Sequence, residues 1–180
     1  MVEEEILQRM IEESLDLLYQ NDGYLICNHR DRRENHVGER SVAFRFGIYF
    51  NMLSKKDFPE FQVDMEYNRN MDNRKTLPSW HEGCFPDLIL HKRGSNSDNL
   101  LVIEMKTWWN PHPEKDKQKI WEFCDINGKY CYKYGAFILI GKKREDVQIV
   151  FFKHDEEGHL CRDILKPTMK TPSSNFFKSN

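Results

Sequence analysis

Pro86-Asp87-Leu88-Ile89-Leu90 and, after the polar segment Gly94-Ser95-Asn96-Ser97-Asp98-Asn99, Leu100-Leu101-Val102-Ile103-Glu104-Met105-Lys106 decide how this chain is read. Two apolar, β-branched-rich runs around a turn-forming segment predict an antiparallel hairpin. Centring the turn between Ser95 and Asn96 pairs residues whose numbers sum to 191: Leu90 with Leu101, Ile89 with Val102, Leu88 with Ile103 and Asp87 with Glu104. Apolar meets apolar until the open end, where two carboxylates face each other. Opposed Cβ atoms lie about 4.5–5.5 Å apart, and like charges placed there destabilise a sheet. Lys106, two residues beyond Glu104, falls on the same face by strand period. Both runs are apolar on both faces, as in a central hairpin covered on each side, so charge at their end is costly unless something compensates it. A hard divalent cation between the carboxylates would do so, and an ammonium beside it suits a phosphodiester and an attacking water. A structural carboxylate–lysine cluster is the plainer alternative.

A second acidic residue belongs with these. Residues 35–53 read as a helix with Asn35 as its N-cap. Val42, Ala43, Phe46 and Phe50 fall three, four, seven and eleven places after Glu39, which puts Glu39 on the buried stripe. A core-facing glutamate needs a partner. Either an arginine elsewhere meets it, or it reaches the cation site from a helix packed on the sheet.

Working outward, helical spacing of Ile6, Leu7, Met10, Ile11, Leu15 and Leu18 predicts a first helix over 3–19, its acid-rich face toward solvent and its end at Asn21-Asp22-Gly23. A polar connection follows, with a short strand at Tyr24–Cys27. Residues 61–67 alternate as a half-buried strand, and 68–85 read as a loop that delivers Pro86 to a strand start. Beyond Lys106 the Pro-broken segment 107–113 precedes a helix over 114–125, then a helical turn at Tyr130–Tyr134. Ala136–Ile140 is apolar throughout, a buried strand reached by helical crossover and hence parallel to the Glu104 strand. Val147–Lys153 hairpins back as a fifth strand, and residues past 166 form a loose tail in which Phe176-Phe177 could dock. The order predicts an α/β fold, a mixed central sheet of about five strands flanked by helices, in one domain over 1–165 with its core at 35–153.

Pro86-Asp87, a spacer and Glu104-Met105-Lys106 resemble the signature of the PD-(D/E)xK nuclease superfamily. The predicted αβββαβ order is similar to its restriction-endonuclease-like core. The resemblance implies a metal-dependent nuclease acting on DNA ahead of RNA and leaving 5′-phosphate and 3′-hydroxyl ends. Asp87, Glu104, Lys106 and Glu39 would be the catalytic set. Mg²⁺, with Mn²⁺ able to substitute, would be held by Asp87, Glu104, the Met105 carbonyl and Glu39, whose place in Gly38-Glu39-Arg40-Ser41 matches the glutamate that many members carry on the first core helix. A catalytically silent nuclease-fold module, binding nucleic acid or a protein, is the alternative. Superfamily members often point a polar residue at the site from the next helix. Lys115, Gln118 or Lys119 could fill that place, although solvated helix charge is the plainer reading of them and of Asp116.

Composition constrains the rest. The 180 residues are 39% hydrophobic and 31% charged, with a net charge of −2 that does not advertise a nucleic-acid binder. The charge is unevenly spread: residues 1–20 carry a net −5, leaving +3 for the remainder. Arg30, Arg32, Arg33 and Arg40 form one basic knot and Lys142, Lys143 and Arg144 another, fit to grip phosphates or simply to be solvated. Five scattered cysteines without a CxxC pair fit neither a disulfide framework nor a zinc site. No apolar run reaches the ~20 residues a membrane helix needs, and the acidic start is unlike a signal peptide, so a cytoplasmic location is expected. No separate recognition domain is evident, so substrate specificity would fall to loops such as 68–85 or to a homodimer partner. His81-Glu82 on that loop, and Trp108-Trp109 after Lys106, are weaker candidates, the tryptophans for base stacking or for packing.

Overall fold

The computed structural model describes residues 2–27, 36–110 and 112–165. Asn35, the arginines at 30, 32 and 33, and the tail from 166 lie outside these. The central hairpin is β4 (Leu88–His91) and β5 (Asn99–Thr107), paired Leu88–Ile103, Ile89–Val102 and Leu90–Leu101 as apolar matching requires, with a bulge at His91. Every residue of β4 is buried, the mark of a strand covered on both faces.

Around this hairpin β1 (Gln62–Met65), β6 (Tyr134–Ile140), β7 (Gln148–His154) and β8 (Leu160–Leu165) complete a six-stranded sheet of order β1-β4-β5-β6-β7-β8. Among the described strands only β5 and β6 run parallel, and α3 (Glu114–Cys124) makes the crossover between them. Alternate residues feed two cores. Leu88, Leu90, Leu101, Ile103 and Met105 face α1 (Glu3–Ile26) and α2 (Glu39–Asp57), whereas Ile89 and Val102 face α3 through Ile120, Phe123 and Cys124. The sheet is thus a layer between helices, an α/β arrangement.

Several local expectations give way to tertiary contacts. The first helix does not stop at Asn21. Asp22 takes a non-helical conformation, held by Arg45 Nε at 2.8 Å and the Tyr49 hydroxyl at 2.5 Å, and the helix continues to a buried Ile26 where a strand was expected. Its acidic face is not left to solvent: Glu12 and Asp16 bind Arg144, and Glu4 accepts from Lys153 at 2.8 Å. The Lys142–Arg144 knot therefore gives its arginine to α1 rather than to a phosphate. Residues 68–85 contain a small ribbon, β2 (Arg69–Asn70) with β3 (Asn73–Arg74). Tyr130–Tyr134 forms no helical turn: Cys131 has φ +48°, and Tyr134 opens β6. Finally, β8 extends the sheet. Its sequence Leu-Cys-Arg-Asp-Ile-Leu is mostly exposed and shows no clean alternation, so hairpin pairing with β7 creates the strand rather than burial. No described helix is long and apolar enough to cross a membrane.

Gly135 sets how closely α3 approaches the sheet. A Cβ there would lie 2.4 Å from Ile120 Cγ2 and 3.1 Å from Cys124 Sγ. Gly135→Ala is expected to force α3 outward and cost about 1–3 kcal/mol in chemical denaturation, as overpacked cores do. An unchanged midpoint would mean that the helix is free to shift.

Candidate metal centre

Hairpin geometry places Asp87 and Glu104 on one face of the sheet. Asp87 has the parity of Ile89 and Glu104 that of Val102, and both apolar residues belong to the core beneath α3. Asp87 stands one residue outside β4, and its Oδ2 accepts the Met105 amide N–H at 2.7 Å. That bond anchors the carboxylate across the mouth of the hairpin. Glu104 is completely buried. Its Oε2 accepts from Lys119 Nζ at 2.9 Å, but its Oε1 is enclosed without any hydrogen-bond partner among the described residues. Buried polar atoms are nearly always partnered, so an orphaned carboxylate oxygen calls for an explanation.

Electrostatics sharpens the point. Burial, opposed by the Met105 amide and by Lys119 and Lys106, pushes the Asp87 carboxyl up to about 6. Burial and then the nearby Asp87 charge raise Glu104 well above the ordinary glutamate range. Both shifts describe carboxylates short of positive charge.

The lysines come from two elements. Lys106 Nζ donates to Glu39 Oε1 at 2.7 Å and lies 3.3 Å from Asp116 Oδ2, while Lys119 Nζ lies 3.5 Å from Asp116 Oδ1. The result is an alternating ladder, Glu39–Lys106–Asp116–Lys119–Glu104, with Asp87 near enough to act electrostatically on Glu104 and to be acted on by both lysines. Four carboxylates and two ammoniums leave the ionised cluster two negative charges in excess, the charge of one divalent cation.

Glu39 reaches the rim of β5 from the first turn of α2, which packs on the opposite face from α3. Its Oε1 is used by Lys106, and its Oε2 accepts from the Thr107 amide at 3.2 Å and the Thr107 hydroxyl at 3.4 Å. In this arrangement Glu39 fixes Lys106 and the strand end. The partner is thus a lysine, not an arginine, and the Met105 carbonyl receives only a marginal 3.5 Å approach from Lys106.

Asp116 and Lys119 are not solvated helix charge. Asp116 is 5% exposed and Lys119 is drawn onto Glu104. The i, i+3 spacing of the two signalled a shared face, but the identity of that face depended on the crossover. Gln118 instead bonds Ser79 and Glu122, and Lys115 stays exposed. His81 and Glu82 are exposed on their loop. Trp108 and Trp109 are half-buried. His36 stacks on Trp109 at 4.6 Å, and Trp108 Nε1 donates to the Ile26 carbonyl at 3.3 Å, so both tryptophans are used in packing. Asp155, Glu157 and His159 bring ligand atoms within 4.8 Å of one another in the β7–β8 turn. All three are exposed, and Asp155 is occupied by the His159 and Glu157 amides, which close the turn and hold its carboxyl below the usual range.

Compared with known proteins, the chain matches no family model and no curated sequence.

Proposed function

We propose that this protein is a divalent-cation-dependent nuclease of the PD-(D/E)xK type, hydrolysing phosphodiester bonds in DNA on a restriction-endonuclease-like core. The carrying observation is the enclosed, unpartnered Oε1 of Glu104 beside Asp87, in a cluster that lacks two positive charges. Carboxylate oxygens are the donor set a hard cation such as Mg²⁺ takes. Asp87 and Glu104 would hold it; Glu39 has both oxygens engaged and acts on Lys106 instead. The order α2-β1-β4-β5-α3-β6 also agrees with the αβββαβ succession that the sequence resemblance implies.

A cation bound there would polarise a phosphate oxygen and acidify a bound water. The chain's own groups do the rest. Lys106, pinned from α2 by Glu39 and from α3 by Asp116, offers a fixed ammonium at a half-buried rim. Contact with these carboxylates raises it against the opposing effect of burial, so it stays protonated at neutral pH. Such a preorganised charge stabilises negative charge building on phosphate without rearrangement. Lys119 neutralises the second oxygen of Glu104, keeping that side chain in place.

The direct test is incubation with plasmid, single-stranded DNA and RNA in Mg²⁺, Mn²⁺ or EDTA, beside Lys106→Ala. Cation-dependent cleavage lost in the variant is expected. A nuclease-fold binding module would instead retain nucleic acid without cutting it. Glu39→Gln separates the roles further. It should lower the cleavage rate about 10–100-fold, the scale for a group that orients a catalytic one, while Mg²⁺ affinity measured by calorimetry holds. A fall in Mg²⁺ affinity as large as the fall in rate would make Glu39 a ligand after all.

A further inference from the structure

At the closed end of the same hairpin lies a second concentration of positive charge. Lys75 is 2% exposed, yet makes no ion pair among the described residues. Its Nζ donates to the Tyr132 hydroxyl at 3.2 Å and is surrounded by the rings of Tyr67, Phe123, Tyr130 and Tyr132 at 5.0–5.6 Å. Aromatic faces attract an ammonium but leave most of its three donors without a strong acceptor. Burial accordingly lowers Lys75 to about 8.

Lys75 also lines an open depression, together with Arg69, Asn70, His91, Asn96 and Asn99. Among the described residues, no acidic one contributes to that lining. Asp64 stands behind His91, but it is spoken for by His91 at 2.9 Å and by both Nε and Nη2 of Arg93. The amides are fixed in place. Asn96 Nδ2 donates to Asn70 Oδ1 at 2.8 Å and Asn99 Nδ2 to the Tyr130 carbonyl at 2.7 Å, which leaves the N–H groups of Asn70 for another acceptor. Arg69 is exposed and has no ion-pair partner among the described residues. It is presented by the β2–β3 ribbon, whose turn holds Met71 at φ +52°, a conformation that a residue with a side chain adopts only at a cost.

We propose that this depression is an oxyanion site that takes a phosphate group between Lys75, Arg69 and the Asn70 amide. A cationic, amide-lined wall without carboxylates is built for an acceptor with several oxygens, and such an anion supplies the counter-charge that Lys75 lacks. The site lies about 13 Å along β4 from Asp87, on the same face of the sheet. It is separate from the metal centre and needs no divalent cation.

The test is a titration of the whole chain with inorganic phosphate in EDTA, followed by ¹H–¹⁵N spectra and calorimetry. Saturable binding is expected, with shifts in the side-chain amides of Asn70, Asn96 and Asn99. Arg69→Ala should weaken it about tenfold, the loss of one charge-assisted contact. Asn70→Asp, which adds a repelling carboxylate, should abolish it. Lys75→Met should also abolish it, and if that variant fails to fold the other two decide. Asp87→Asn should bind phosphate as the wild type does. Absence of saturable binding, binding unaltered in both Arg69→Ala and Asn70→Asp, or binding lost in Asp87→Asn would overturn the site. A thymidine dinucleotide carrying a 5′-phosphate is titrated in parallel. Tighter binding than inorganic phosphate marks a nucleotide chain as the source of the phosphate, and equal or weaker binding marks the free anion, both through the same residues.

Discussion

Asp87→Asn is expected to cut cation-dependent cleavage about a hundredfold or more while making the cation-free protein more stable at pH 8. Burial, with a smaller push from the Glu39 charge, outweighs the Met105 amide and the two lysines, so the folded value stands at about 6 against 3.8 for the free group. A raised acid pKa means that the folded chain holds its proton longer than the unfolded chain does. Above about 6 the group is ionised in both states, and the folded state bears the full penalty, a few kcal/mol on the scale of 1.36 kcal/mol per unit. Asparagine keeps an oxygen for the Met105 amide and removes the charge. A gain of about 1–3 kcal/mol should follow, or a rise in melting temperature of several degrees for a chain of this size. Catalysis should move the other way, falling about a hundred- to a thousand-fold or more, as when a group that organises transition-state charge is lost. Retained cleavage, or a lower melting temperature in EDTA at pH 8, would remove Asp87 from the centre.

The second large effect concerns Mg²⁺ and pH together. In EDTA, stability contributed through Asp87 and Glu104 is highest below about pH 4, where both states are protonated, and declines as pH rises toward and through the folded value of about 6 for Asp87. A cation reverses this, because it stabilises the ionised carboxylates and competes with their protons. Mg²⁺ at a hundred times its dissociation constant should add about 2.7 kcal/mol of stability. That increment should be large at pH 8, shrink toward pH 5 and be missing in Glu104→Gln, whose amide keeps an oxygen for Lys119 but offers no charge. Melting curves across this pH range with EDTA or Mg²⁺ provide the measurement. An equal Mg²⁺ shift in Glu104→Gln, or none in the wild type at pH 8, would contradict a cation bound at these residues.

Lys119 shows where reading from sequence alone runs short. On α3 it has the spacing and polarity of a solvated residue, and nothing local distinguishes it from Lys115. Only the crossover from β5 to β6, which lays α3 on the face that carries Glu104, turns Lys119 inward and leaves Lys115 outside. Glu39 is a similar case. Helical period put it on the inner stripe with a cation or an arginine as the expected partner, and neither reading foresaw the end of β5 bringing Lys106 and Thr107 against it.

The hairpin register, the parallel β5–β6 pair and the shared face of Asp87 and Glu104 followed from sequence, because strand period and apolar matching are local rules with few solutions. What only the tertiary structure decided was how charges far apart in sequence meet: α1 acids with Arg144, Glu39 with Lys106, Asp116 between two lysines, and Lys75 inside a ring of aromatics. The physical reason is that long side chains choose partners by proximity and desolvation, and neither exists until the layers have closed.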